Sequence, residues 1–393
     1  MSGYDAIVVG ARCAGAGTAL LLARQGRRVL LLDRAGFPKD TLSTLYIQLP
    51  GVAALADWGL LEALRATGCP PLERTAYRVG DLLLTGSSRP VRGQRAAYAP
   101  RRHLLDQLLV EAAVAAGAEF RDRTAVDELL WTDGRVTGVR CRTAGGARSA
   151  EHAPLVVGAD GMRSRVAGLV GAEVLASAPP RSCAYYGFWD LPADNVLSLT
   201  LADGAMVGWT GTNGATLVTC YLRQQEFARA RQRPLQVYLE TVRAHQPDLY
   251  ERLRTAELTE RLYGTGDQRN VIRRAAGPGW ALVGDAAVHK DSITAWGISD
   301  AFLQAQLLAD ALAAGPDPDR ALSGYADALH GYALGGYHAA LATAELNLQE
   351  EALAFFRRVA ERPELVELFF SAASGAIRPE EFEAALAARP SPV

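Results

Sequence analysis

The stretch that most constrains the fold runs from Tyr4 to Arg34. An apolar run, Ala6 to Val9, breaks at Gly10 into a turn of small residues. The pattern then predicts a helix from about Ala14 to Gln25, closed by Gly26. A second apolar run, Val29 to Leu32, ends on an acid, Asp33. Strand, glycine turn, helix, strand and terminal acid spell a dinucleotide-binding βαβ unit. The unpaired N–H groups and the dipole of a helix N-terminus favour a pyrophosphate, and the acid accepts hydrogen bonds from the adenosine ribose. Gly10 and Asp33 are 23 positions apart, close to the usual ~20. Gly10, Arg12, Cys13, Ala14 and Gly15, with Asp33 and Arg34, are thus the first candidate cofactor contacts.

One position departs from the fingerprint. Glycine is wanted at the first, third and sixth places, and Arg12 holds the third. The middle glycine lets a backbone approach the pyrophosphate, so this stretch alone does not say which dinucleotide binds. Arg12 either touches a phosphate or projects to solvent. Cys13 is expected to supply a backbone N–H and not a nucleophilic thiol.

Length and composition narrow the class. A chain of 393 residues, 49% hydrophobic, can bury a large core and is expected to hold two linked domains. Its net charge of −2 leaves no basic footprint for nucleic acid. Five cysteines (13, 69, 141, 183 and 220) are scattered, with no CxxC pair and no His/Cys cluster, so neither a disulfide framework nor a metal site is expected. A cytoplasmic setting follows from that usage. The first strand begins near residue 4, so no leader peptide is expected, and no apolar run of 18 residues suggests a transmembrane segment.

Along the chain, a polar loop (Phe37 to Thr44) precedes an apolar helical pattern from about Gly51 to Leu64. Residues 75–99 read as a small β excursion, Arg101 to Ala116 as a helix, Glu119 to Glu128 as a strand, and 135–147 as a hairpin. Short β runs dominate from about 176 to 265, interrupted by one helix near Pro234. Trp280 to Asp285 returns as a buried strand, followed by a helix from Ser299 to Ala314. From Asp317 the tail is helical: Asp317 and Pro318 suit a helix start, Leu322, Tyr325, Leu329 and Tyr332 share a face, and Gly335-Gly336 suggests a bend or close packing. A last helix starts at Pro379. The expected division is a nucleotide-binding domain from 1–74, 98–175 and 268–315, a β-sheet substrate domain from 75–97 and 176–267, and C-terminal helices from 316–393.

Three further segments are specific. Trp280-Ala-Leu-Val-Gly-Asp285 leads into a loop ending at Trp296-Gly297-Ile298, Val157-Gly-Ala-Asp160-Gly161 forms a second acid-glycine turn, and Arg102-x-x-Leu105-x-x-x-Leu109 opens a helix. In this order the chain resembles the group A FAD-dependent monooxygenases, the para-hydroxybenzoate hydroxylase-like and geranylgeranyl reductase-like flavoproteins, over about residues 1–330. The resemblance implies an α/β fold with a Rossmann-like FAD-binding domain, an inserted β-sheet substrate domain and a C-terminal helical tail. It implies that Asp285 binds the ribityl hydroxyls of FAD and that Trp296, Gly297 and Ile298 face the flavin pyrimidine ring. A helix N-terminus there would stabilise the negative charge that develops on flavin reduction. Asp160 is associated in the family with FAD and NAD(P)H, though a turn-bracing role is an equal alternative, and Arg102 lies near the FAD. Within the family, Arg12 is a normal variant of one bacterial branch. Two departures concern the late loop, where Ser292 replaces a proline and Ala295 a glycine.

The implied chemistry is transient NAD(P)H binding, flavin reduction, and reaction with O2 to a C4a-hydroperoxide that oxygenates a small hydrophobic aromatic or polycyclic substrate. Catalytic residues proper are not identifiable. Tyr46, Gln48, Trp189, Trp209, Tyr221 and His289 are candidates for the substrate pocket, against the alternative that they are core or packed loop residues. Three rivals remain. A geranylgeranyl-type reductase should carry a Cys-Gly-Gly stretch near Thr41–Thr44, which is absent. A halogenase is suggested only by Trp189-Asp-Leu-Pro192, and residues 40–288 contain no lysine. A redox-silent FAD protein, a cyclase or binding module, is the third.

Overall fold

A computed structural model describes residues 3–388. A six-stranded sheet runs in the order Ala276–Gly277, Trp280–Leu282, Val156–Gly158, Ala6–Val9, Val29–Leu32, Glu119–Arg121. All neighbours are parallel except the first pair. Ala6–Val9 and Val29–Leu32 are buried along their whole length. Their unbroken apolar runs reflect a parallel sheet covered on both faces. The helices Cys13–Arg24, Arg102–Ala115 and Gly297–Ala313 pack together, and an antiparallel meander, Thr124–Thr132, Arg135–Thr143 and Arg148–His152, shares the same core.

This strand order positions the site. The turns after Ala6–Val9, Val156–Gly158 and Trp280–Leu282 leave from the carboxyl ends of three adjacent strands. Gly10, Asp160 and Asp285, far apart in the chain, therefore meet at one sheet edge, where open α/β sheets bind ligands.

A seven-stranded sheet runs Tyr263–Thr265, Ser182–Trp189, Ala215–Arg223, Ala205–Thr212, Val196–Ala202, Arg74–Val79, Leu82–Gly86. Side chains alternate across it. Cys183, Tyr185, Val207, Val218 and Cys220 pack with Tyr238 and Val242 of the helix Pro234–His245. Tyr221, Met206 and Ala184, on the opposite face, meet Ile293 of the loop after Asp285. A small sheet of Val174–Ala178, Asn270–Arg273 and Val288–His289 lies where the chain passes between the two large ones.

Several expectations need adjustment. The helix expected over 51–64 is two, Leu49–Asp57 and Leu61–Ala66, separated by Gly59 at φ +70°. The strand expected over 119–128 breaks at Arg123, at φ +46°. Asp317 does cap the helix Pro318–Ala344, accepting from the N–H groups of Asp319 and Arg320. Leu322, Tyr325 and Leu329 are buried, but Tyr332 is 43% exposed. Gly336 is a close-packing position: a Cβ there would stand 2.7 Å from Lys290 Nζ. The tail continues as Glu350–Ala360, Pro363–Ala373 and Pro379–Ala387, which bury Phe356, Phe370 and Phe382 with Val79 and Leu84. Among the described residues, no helix is long and apolar enough to cross a membrane.

Candidate active site

A cavity of about 870 Å³ lies over the carboxyl edge of the parallel sheet, within the range of cofactor sites. Gly10, Arg12, Cys13, Ala14, Asp33 and Arg34 line one end; Asp285, Trp296, Gly297 and Ile298 line another part. Arg102, Asp160, Tyr46 and His289 also reach it. Gly15 lies behind the turn instead, where a Cβ would come 1.6 Å from the Gly10 carbonyl oxygen. Gly10 sits at φ +101°, and a Cβ there would stand 2.4 Å from Ala159 O. The turn can follow this path only with hydrogen at both positions.

Asp33 Oδ2 accepts from Ala11 N at 2.8 Å and Oδ1 from Ala35 N at 2.7 Å. The acid thus ties the glycine turn to the following loop and retains acceptor capacity for a ribose. Arg12 keeps ordinary extended backbone, φ −85° and ψ −167°, and leaves the start of the helix Cys13–Arg24 without a side-chain cap. Those free N–H groups are what a pyrophosphate takes.

Sequence reasoning missed the partner of this turn. Asp106, fully buried, receives Arg12 Nη1 at 3.0 Å, Arg102 Nη2 at 2.9 Å and Cys13 Sγ at 3.2 Å. Burial lowers the Arg102 guanidinium's pKa, but the adjacent Asp106 charge outweighs that and the net shift is upward. Burial pushes the Cys13 thiol well above its usual range, so it is no nucleophile. The four-residue spacing of Arg102 and Asp106 on one helix was the available signal.

Asp160 is committed to its own turn. Its oxygens accept from Ser164 Oγ at 2.5 Å, Arg165 N at 2.7 Å and Val166 N at 3.1 Å. These bonds are what a turn-bracing role requires, and the residue also lines the cavity. Asp285 also lines the cavity and, in contrast to Asp160, no side-chain hydrogen bond among the described residues claims its carboxylate. The helix Gly297–Ala313 also starts without a side-chain cap, leaving N–H groups of Gly297 and Ile298 for a ligand.

The proposed substrate residues divide. A second cavity of about 90 Å³ adjoins the first, with Thr44, Tyr46, Ser292, Thr294 and Ala295 lining both. Tyr46, Gln48 and Tyr221 line it, while His289 lines only the larger cavity. Trp189 is not brought to either one. Its indole N–H donates to Tyr238 Oη at 3.0 Å on the sheet's far face. Trp209 belongs to the small cavity's wall, but its ring packs with that far-face core, under the Arg252 guanidinium at 5.2 Å. The strand period of two puts both indoles opposite Tyr221. Near the late loop, Lys290 Nζ pairs with Asp300 at 2.7 Å, and Tyr332 Oη donates to the same carboxylate at 2.8 Å.

Turns a Cβ would fill, two uncapped helix starts, an uncommitted acid between them and a long cavity fit one extended dinucleotide with a polar ring system. This is the donor set of a flavoprotein. The chain belongs to the FAD binding domain family, whose pattern matches residues 3–326. It is 26% identical over 316 residues to a digeranylgeranylglycerophospholipid reductase of Methanosarcina mazei, covering 78% of this chain and 74% of that one. It is 35% identical over 173 residues to 6-methylpretetramide 4-monooxygenase of Streptomyces rimosus, covering 42% and 40%. In fold it is similar to the flavin-dependent brominase Bmp2, with a TM-score of 0.81, 18% identity and 98% of both chains covered. It is also similar to PqsL, a probable FAD-dependent monooxygenase from Pseudomonas aeruginosa, with a TM-score of 0.73, 18% identity and 96% and 100% covered. FAD is therefore the cofactor and the chain a flavin-dependent oxidoreductase.

Proposed function

We propose that this flavoenzyme is an NAD(P)H-using monooxygenase of a small, hydrophobic aromatic compound. The observation that carries the reading is the small, mainly apolar side cavity, lined by Leu197, Leu199, Met206 and Leu217, which adjoins the larger one beside the late loop. When bound, FAD supplies electron transfer from the pyridine nucleotide and activation of O2. The chain's residues do the rest. Asp33 holds the adenosine ribose, and the N–H groups at Cys13 to Gly15 hold the pyrophosphate, with Arg12 and Arg102 contributing positive charge. Asp285 orients the ribityl hydroxyls. The N–H groups of Gly297 and Ile298 stabilise negative charge at the pyrimidine end. The apolar sheet face excludes water from the reacting region.

A reductase acting on a long polyprenyl chain, suggested by the Methanosarcina relative, finds little support in a side cavity of about 90 Å³. NADH and NADPH oxidation by FAD-loaded protein, followed with and without aromatic compounds, tests the choice. Oxidation stimulated by an aromatic, with matching oxygen uptake, is expected. Flavin that neither nucleotide reduces under any of these conditions overturns the monooxygenase.

A further inference from the structure

A buried ion pair stands at the base of the late loop. The Lys290 ammonium meets Asp300 at 2.7 Å, with the two side chains only 9% and 6% exposed. Either charge alone would be costly to bury, so each needs the other. The pair closes a loop of nine residues, 291–299, which leaves from Lys290 and returns at Asp300. That loop carries Trp296, Gly297 and Ile298, and both members of the pair line the large cavity with it. The tail helix Pro318–Ala344 completes the clasp. Tyr332 and Gly336, four residues apart, share one of its faces. Tyr332 Oη donates to Asp300 Oδ1 at 2.8 Å. Burial, together with the Asp300 charge, raises that phenol's pKa far above its usual range, so it keeps its hydrogen. Gly336 makes room for the ammonium, since a Cβ there would stand 2.7 Å from Lys290 Nζ.

Charge gives the clasp a consequence beyond holding the loop. Asp300 lies in the first turn of the helix Gly297–Ala313. An acid there satisfies the helix dipole by itself. It thereby competes with any negative charge that the free N–H groups of Gly297 and Ile298 are to stabilise. Among the described residues, Lys290 is the only cation within ion-pair distance of Asp300. The ammonium cancels the acid, and the phenol withdraws part of what remains.

We propose that Lys290 and Tyr332 neutralise Asp300 so that this helix start keeps its positive potential for the pyrimidine end of the flavin, and that the clasp thereby raises the flavin's reduction potential. The proposal rests on the flavin placement given under the proposed function and adds the groups that set the charge there. Lys290, Asp300 and Tyr332 act through the helix start and are positioning residues.

Midpoint potentials of the FAD-loaded protein, read by dye-coupled reduction without pyridine nucleotide or substrate, test this. Lys290→Met leaves Asp300 uncompensated and should lower the potential by about 30 mV, a tenfold shift for two electrons. Asp300→Asn leaves the ammonium uncompensated and should raise it by about as much. The double variant removes both charges and should return close to wild type. Tyr332→Phe, at a residue 43% exposed, should fold normally and lower the potential by about 15 mV, a threefold shift. Melting temperature and FAD content establish that each variant is folded and loaded. A clasp that only holds the loop would move every variant in the same direction, or shed FAD without changing the potential of what remains. Either result overturns the proposal, as do unchanged potentials throughout. Should the single-charge variants fail to fold, Tyr332→Phe decides, and a wild-type potential there overturns it. Potentials that follow the expected series, in a protein whose flavin pyridine nucleotides cannot reduce, overturn the monooxygenase and leave the clasp standing.

Discussion

Arg12 and Asp106 form an ion pair across the mouth of the glycine turn, Nη1 to Oδ2 at 3.0 Å, with the carboxylate fully buried. The side chain that replaces the fingerprint's middle glycine is drawn aside by the helix carrying Arg102. Its backbone is in a region open to any residue, so the turn does not need glycine's conformational freedom at this place.

Replacing Asp106 with Asn should therefore be costly. It leaves the buried Arg102 guanidinium and Arg12 without their shared counter-charge, and breaking a buried pair costs ~3–5 kcal/mol. Calorimetry should show a lower melting temperature, and the purified protein should carry less FAD. A variant as stable and as yellow as wild type would contradict the assignment.

Asp285→Ala tests the cofactor without disturbing the core, because no bond within the described residues depends on that carboxylate. The expected product is folded, largely colourless protein. Stoichiometric flavin, measured from the 450 nm absorbance, would remove Asp285 from the site.

Two glycines with positive φ should behave differently. Gly10→Ala places a Cβ 2.4 Å from Ala159 O, while Gly26, at φ +78°, has nothing within 4 Å. Gly26→Ala should cost about 1 kcal/mol for its left-handed backbone alone. Gly10→Ala should lose considerably more, together with FAD retention. Similar denaturation midpoints for the two variants would refute the close approach.

The loop over the cavity has an acid-sensitive tie. Burial raises the Asp40 pKa, but hydrogen bonds from Arg101 Nη2 at 2.5 Å and His103 N at 2.9 Å outweigh it and hold the group below its usual 3.8. A lowered folded-state pKa means that ionised Asp40 stabilises the fold above pH 3.8, and the gain is lost as pH falls through the lower value. Asp40→Asn should lower the melting temperature at pH 7, and the gap from wild type should narrow as pH is taken below 3.8. A gap independent of pH would count against it.

The nucleotide unit was legible because each of its parts is local. Apolar runs at Ala6–Val9 and Val29–Leu32, the small residues between them and the acid at Asp33 report backbone path and burial directly. Asp285 and the late helix start were found through resemblance, since an acid after a buried strand has many uses. Trp189 and Trp209 could not be placed without strand register, because a shift of one residue moves a side chain to the other face. Buried Asp291 accepts from Ser182 Oγ at 2.8 Å and Gln268 Nε2 at 3.3 Å, a network with no sequence signal at all because its members come from three separated segments.

The sequence by itself determined the βαβ unit, a strand, glycine turn, helix, strand and terminal acid, and the return of short β runs in a second region of the chain. Local spacing suffices for that, because helix starts, turns and buried strands are encoded within a few residues. Only the tertiary structure decided what became of Arg12 and which face of the second sheet meets the cofactor cavity. Those outcomes depend on pairings between distant segments, as where Asp106 draws the Arg12 guanidinium aside from 94 positions away.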